Sequence, residues 1–174
     1  MLNTPLAEHL GKGALGVDGF VKPHPLYNFG RIPATVRHLL GLPTAEGTTL
    51  PPDTLAGNGQ LPYDKVVTLF IDALGWRFVE PLLKKDPLLK RVQKEGTLTM
   101  ITSQFPSTTA VHATTIKTGL TLGQHGIPEF SYYEPILDEV FNALKTRYTA
   151  IPSMGQTKDS RLGAVYNLGG SFAN

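Results

Sequence analysis

Two side chains mark where chemistry can occur: the carboxylate of Asp72 and the hydroxyl of Thr109. Asp72 directly follows an apolar run, and Thr109 opens a helical pattern. A carboxylate at the end of a strand can hold a divalent cation. A hydroxyl in the first turn of a helix lies where backbone N–H groups and the positive end of the helix dipole favour an anion, or an alkoxide. Threonine is too weak an acid to attack unaided at neutral pH and needs a base or a coordinated metal. Together the pair outlines a metal-assisted hydrolase. Taken singly, Asp72 can equally well be a helix N-cap, and Thr109, like Ser107 and Thr108, can merely cap its helix. The chain has no Cys, which excludes thiolate metal sites, disulfides and a cysteine nucleophile.

The elements that must position these residues read as an α/β pattern. Lys65-Val66-Val67-Thr68-Leu69-Phe70-Ile71 is a continuous β-branched and aromatic run, which predicts a strand buried on both faces, as in a parallel sheet. Ala73-Leu74-Gly75 predicts a turn, and Trp76 to Lys84 a helix weakened by Pro81. Asp86 before Pro87 is an N-cap with proline in the first turn, predicting a helix through Lys94 that stops at Gly96. Thr97 to Thr102 reads as a second strand, and Thr109 to Lys117 as a helix stopped by Gly119. Strand, helix, strand, helix predicts a mainly parallel sheet flanked by helices. In such sheets ligands bind beyond the carboxyl ends of the strands, so Asp72 and the Gln104 to Thr109 turn are expected on one rim.

The chain of 174 residues is 41% hydrophobic and 17% charged, with 18 Gly and 14 Pro, a globular but turn-rich composition. A net charge of +2 without a basic block nominates no nucleic-acid polymer and no membrane surface. No signal peptide or membrane span is apparent, and a cytoplasmic location is expected. Residues 1–60 read as an irregular N-terminal extension with one helix, Pro33 to Leu40. Residues 61–147 carry the patterned part, and residues 148–174, rich in Gly, Ser, Thr and Asn, read as a disordered or aberrant tail.

Ile71-Asp72-Ala73-Leu74-Gly75-Trp76, Phe105-Pro106-Ser107-Thr108-Thr109, Thr118-Gly119-Leu120 and His125-Gly126-Ile127 resemble, in this order, the motifs of the alkaline phosphatase superfamily. The resemblance is to its type I phosphodiesterase/nucleotide pyrophosphatase branch and covers about Tyr63 to Pro135. The separations, 37 residues from Asp72 to Thr109 and 16 from Thr109 to His125, match as well. The resemblance implies an alkaline-phosphatase-like fold, a site with two zinc ions, Asp72 as ligand of one of them, and Thr109 as the metal-touching nucleophile, with Thr108 the alternative. It implies a small phosphodiester or nucleotide substrate, cleaved through a phosphothreonine. Nucleotide pyrophosphatases carry an asparagine where this chain has Phe130, which leaves the substrate class open. The family draws further Asp and His ligands from beyond its His-Gly-Ile turn, whereas here His125 is the last histidine and Asp138 and Asp159 the last aspartates. The expectation is an incomplete N-terminal portion of such an enzyme, weakly active or inactive, with a non-catalytic phosphate-binding or partner-completed fragment as the alternative.

Other motifs have plainer readings. His125 can touch substrate or metal, but a buried histidine commonly just satisfies a carbonyl. His112, one turn into the helix, is expected to pack. Trp76, Phe130, Tyr132 and Tyr133 can stack on a base or simply fill a core. Gly11 to Gly16 matches a dinucleotide fingerprint without the strand and helix it requires. Lys84, Lys85, Lys90 and Arg91 read as solvated helix faces, and Pro135 to Lys145 as the start of an amphipathic helix.

Overall fold

A computed structural model describes residues 22–55, 60–135, 138–143 and 147–148. The Gly11 to Gly16 motif, Asp159 and residues 149–174 of the expected tail lie outside the described residues. The chain divides into two compact units, Met1–Thr102 and Ser103–Asn174.

In the first unit the helix Ile32–Leu39 starts with proline in its first turn, where a missing N–H costs nothing. Thr35 is buried; its Oγ1 donates to the Arg31 carbonyl at 2.8 Å and accepts from Leu50 N at 2.8 Å, tying the following loop to the helix. Gly41 ends this helix at φ +70°, and a Cβ there would approach Pro62 Cβ to 2.9 Å, so both conformation and space call for glycine. The helix Trp76–Val79 passes into a 3₁₀ turn, Glu80–Leu82, at Pro81, which cannot donate to the α-helical ladder. Asp86 caps Pro87–Glu95 by accepting from Leu89 N at 3.0 Å, and Gly96 follows its end. These elements match the sequence reading.

The expected parallel sheet does not appear among the described residues. Among the described residues Lys65 to Ile71 enters no ladder, and most of its side chains face solvent, Val67 being 92% and Leu69 81% exposed. A strand apolar on both faces needs neighbours on both edges and cover above and below. The described residues bring Phe29 against Phe70, ring centroids 5.4 Å apart, which covers one side chain of the run. Thr97 to Thr102, expected as a strand, contributes an isolated parallel bridge from Thr102 to Asn28; Phe29 N donates to Thr102 O and Thr102 N to Tyr27 O, each at 2.9 Å.

The second unit is built on the helix Thr109–Thr118, which ends at Gly119 with φ +73°, as the sequence predicts. Buried Ala110, Val111, Ile127 and Phe141 belong to its core. A short helix, Leu122–His125, follows, with Thr121 and Gln124 forming a capping box. Three antiparallel strands then pair in the order β1 (Ser131–Glu134), β2 (Glu139–Asn142) and β3 (Arg147–Tyr148). Register places Tyr132 opposite Phe141 and Tyr133 opposite Val140. This corrects the expected helix from Pro135 to Lys145: aromatic and β-branched cross-strand pairs outweigh its helical spacing. Fully buried Phe141 anchors the hairpin.

Candidate active site

Thr108 and Thr109 are chemically identical neighbours, and backbone geometry separates their roles. Thr108 is the residue before the helix, with extended backbone (φ −115°, ψ 155°). Its Oγ1 accepts from Val111 N at 3.4 Å and donates to the Pro128 carbonyl at 3.0 Å. That hydroxyl is the helix cap and its proton is engaged. Thr109 is the first helical residue and is exposed.

A buried polar frame lies around this turn. Nε2 of His112 accepts from the backbone N–H of Gln104 at 3.1 Å, and its Nδ1 lies 2.8 Å from the Thr108 carbonyl. An N–H can only donate and a carbonyl only accept, so the ring is neutral with its proton on Nδ1. The Gln104 side chain, also buried, donates through Nε2 to Thr115 Oγ1 at 2.7 Å and accepts through Oε1 from Leu122 N at 3.0 Å. Thr115 Oγ1 lies 3.3 Å from Nε2 of His125, whose Nδ1 accepts from Ile127 N at 3.1 Å. Burial lowers the His125 pKa below the ordinary imidazole value, opposed by a bond to the Val111 backbone. In the second unit, the Gln104–Thr109 turn and the His-Gly-Ile turn are therefore joined in one hydrogen-bonded frame.

Gln104 and Thr115 carry much of this frame, and sequence reasoning passed over both. The available signal was His112, four residues beyond the cap, since a helical side chain covers the turn N-terminal to its own Cα. Thr114 is fully buried, and its Oγ1 has no hydrogen-bond partner among the described residues.

Asp72 belongs to the first unit, exposed in a turn followed by Ala73 in the left-handed region at φ 58°. Gly75 N donates back to the Ala73 carbonyl at 2.9 Å and opens the Trp76–Val79 helix. Also in the first unit, His38, Leu39, Thr49, Leu50, Leu55 and Tyr63 border an open pocket of about 230 Å³, below the roughly 300–1,000 Å³ usual for small-molecule sites.

The two-zinc site implied by the resemblance is not assembled among the described residues. No three His, Cys, Asp or Glu side chains converge among them. His112 and His125 direct both ring nitrogens to partners within the chain, leaving neither ring a lone pair for a metal. Among the described residues no helix is long and apolar enough to cross a membrane.

Comparison with curated proteins and with solved structures returns no match. The sequence model of one family matches residues 66–156, more than half of the chain, a span that includes Asp72, Thr109 and the whole polar frame. The chain belongs to the type I phosphodiesterase / nucleotide pyrophosphatase family.

Proposed function

We propose that the chain carries the nucleophile half of a metal-dependent phosphoric-ester hydrolase acting on small phosphodiester or nucleotide substrates. Family membership implies phosphodiesterase or pyrophosphatase hydrolysis. The observation that carries the finer reading is the division of labour between the two threonines: Thr108 is engaged as the cap, and Thr109 is exposed at the first helical position. In this reading the Thr109 oxygen attacks phosphorus, an alcohol or nucleotide departs, and water releases the phosphothreonine. The helix N-terminus favours the phosphoryl charge. Asp72 is assigned to a metal, zinc by family resemblance. The remaining ligands of the family's pair of ions are not assembled among the described residues, and weak activity is the expectation. Lys65 to Ile71 is assigned in this reading to a parallel sheet of alkaline-phosphatase type.

The test is zinc binding and turnover of a nitrophenyl phosphodiester by the 174-residue chain, wild type against Asp72→Asn and Thr109→Ala. Weak zinc binding, weakened further by Asp72→Asn, and little turnover are expected. Two tightly bound equivalents with turnover abolished by Thr109→Ala would overturn the half-site reading; turnover unchanged by Thr109→Ala would remove the nucleophile assignment.

A second reading rests on the exposed Lys65 to Ile71 run: an interaction fragment that a partner chain completes. Unpaired apolar runs of this kind recruit further strands. A defined, stable oligomer in size-exclusion chromatography with light scattering would favour it, whereas a monomer or polydisperse aggregate would not.

A further inference from the structure

We propose that His112 is a positioning residue for Thr109, its neutral imidazole closing the Gln104–Thr108 turn as a two-point staple. The role rests on the reading of Thr109 as the attacking hydroxyl. The ring receives the N–H at the beginning of the turn, Gln104 N at 3.1 Å, and meets the carbonyl at its end, Thr108 O at 2.8 Å. The bond to Gln104 is buried and the bond to the Thr108 carbonyl is half-buried. The Thr108 peptide held in this way leads directly into Thr109, so the staple fixes where the first helical residue begins. Gln104 is braced in turn by Thr115 and Leu122 through its side-chain amide. Each ring nitrogen has one permitted role, acceptor at Nε2 and donor at Nδ1, so the staple works only with the proton on Nδ1. This differs from a core histidine that satisfies one carbonyl, and from a metal ligand, which needs a free lone pair.

The test uses the full 174-residue chain. Long-range proton–nitrogen correlation of the wild-type imidazole is expected to show His112 protonated at Nδ1 and unprotonated at Nε2, without averaging. The opposite tautomer, or averaged nitrogen shifts, would overturn the proposal without requiring any variant to fold. Amide exchange at Val111, whose N–H bonds to the Thr108 cap, is expected to quicken at least tenfold in His112→Ala. Partial recovery is expected in His112→Asn, which retains a donor for the Thr108 carbonyl. Equal exchange in all three proteins would overturn it.

Reactivity of Thr109 separates this proposal from the reading beneath it. With zinc and bis-nitrophenyl phosphate, attack by the Thr109 oxygen forms one O–P bond, breaks another to release nitrophenolate, and gives up the hydroxyl proton to solvent. The aryl-phosphothreonine is measured by mass spectrometry. Its yield is expected to fall at least tenfold in His112→Ala and to recover partly in His112→Asn. An adduct undiminished in His112→Ala would overturn the positioning role. No adduct in wild type would count against the nucleophile reading, and the tautomer and exchange data would still decide the staple.

Discussion

The side-chain amide of Gln104 donates to Oγ1 of Thr115 at 2.7 Å, a bond buried at both ends that holds the start of the turn against the middle of the following helix. The same amide accepts from Leu122 N, so its loss strands more than one group. Gln104→Leu is expected to destabilise the second unit by about 1–3 kcal/mol, the usual cost of a buried polar group left without its partner. Urea denaturation monitored by circular dichroism measures it; a change within about 0.5 kcal/mol would contradict the importance assigned to this bond.

The adjacent threonines Thr114 and Thr115 are expected to respond with opposite signs. Thr114 Oγ1 is buried without a described partner, so Thr114→Val removes a polar atom that gains nothing from folding and stabilises by about 1 kcal/mol. Thr115→Val breaks the bond to Gln104 and is expected to cost about 1–3 kcal/mol. Equal effects from the two substitutions, again by urea denaturation, would show that the frame does not discriminate between them.

Thr108 and Thr109 are likewise separable. Thr108→Ala removes the cap and the bond to Pro128, and a loss of about 1 kcal/mol is expected. Thr109→Ala is expected to cost less than Thr108→Ala, because the residue is exposed and does not serve as the cap. Thermal unfolding of the two variants side by side checks the assignment.

His125 links stability to pH. Its folded pKa lies below the ordinary value of about 6.5 because burial disfavours the charged ring. Between those two values the unfolded chain binds more protons, so stability rises with pH in that window. The contribution is complete above about pH 6.5 and is lost as pH falls through the lowered folded pKa. Melting temperatures from pH 8 to pH 5 are expected to decline below about pH 6.5, with a shallower decline in His125→Gln. An identical slope in the variant would exclude His125 as the source.

The Lys65 to Ile71 run offers a solubility handle. Val67 and Leu69 are 92% and 81% exposed, so Val67→Lys together with Leu69→Lys removes no folded contact of consequence. The double variant is expected to raise the concentration at which light scattering begins, without lowering the melting temperature. A large drop in melting temperature would mean that these side chains are packed in solution.

Local chemistry was legible from the sequence alone. Asp86 before Pro87, the stops at Gly41 and Gly119, and the break at Pro81 each follow from a single residue's donors, φ range or missing N–H, and each stands where expected. The ordered motifs also pointed to the family that the match over residues 66–156 establishes. What required the tertiary structure depended on partners distant in the chain. Spacing could not distinguish Thr108 from Thr109, because the cap is decided by backbone angles and by the Pro128 carbonyl twenty residues away. Nor could it assign the two histidines, whose tautomers are set by Gln104, Thr108 and Ile127. The stretch after Pro135 read as a helix and pairs as a strand, since cross-strand partners override local periodicity. The apolar Lys65 to Ile71 run read as a buried strand because its composition records what it is suited to pair with; pairing itself requires neighbours, and a sequence pattern does not supply them.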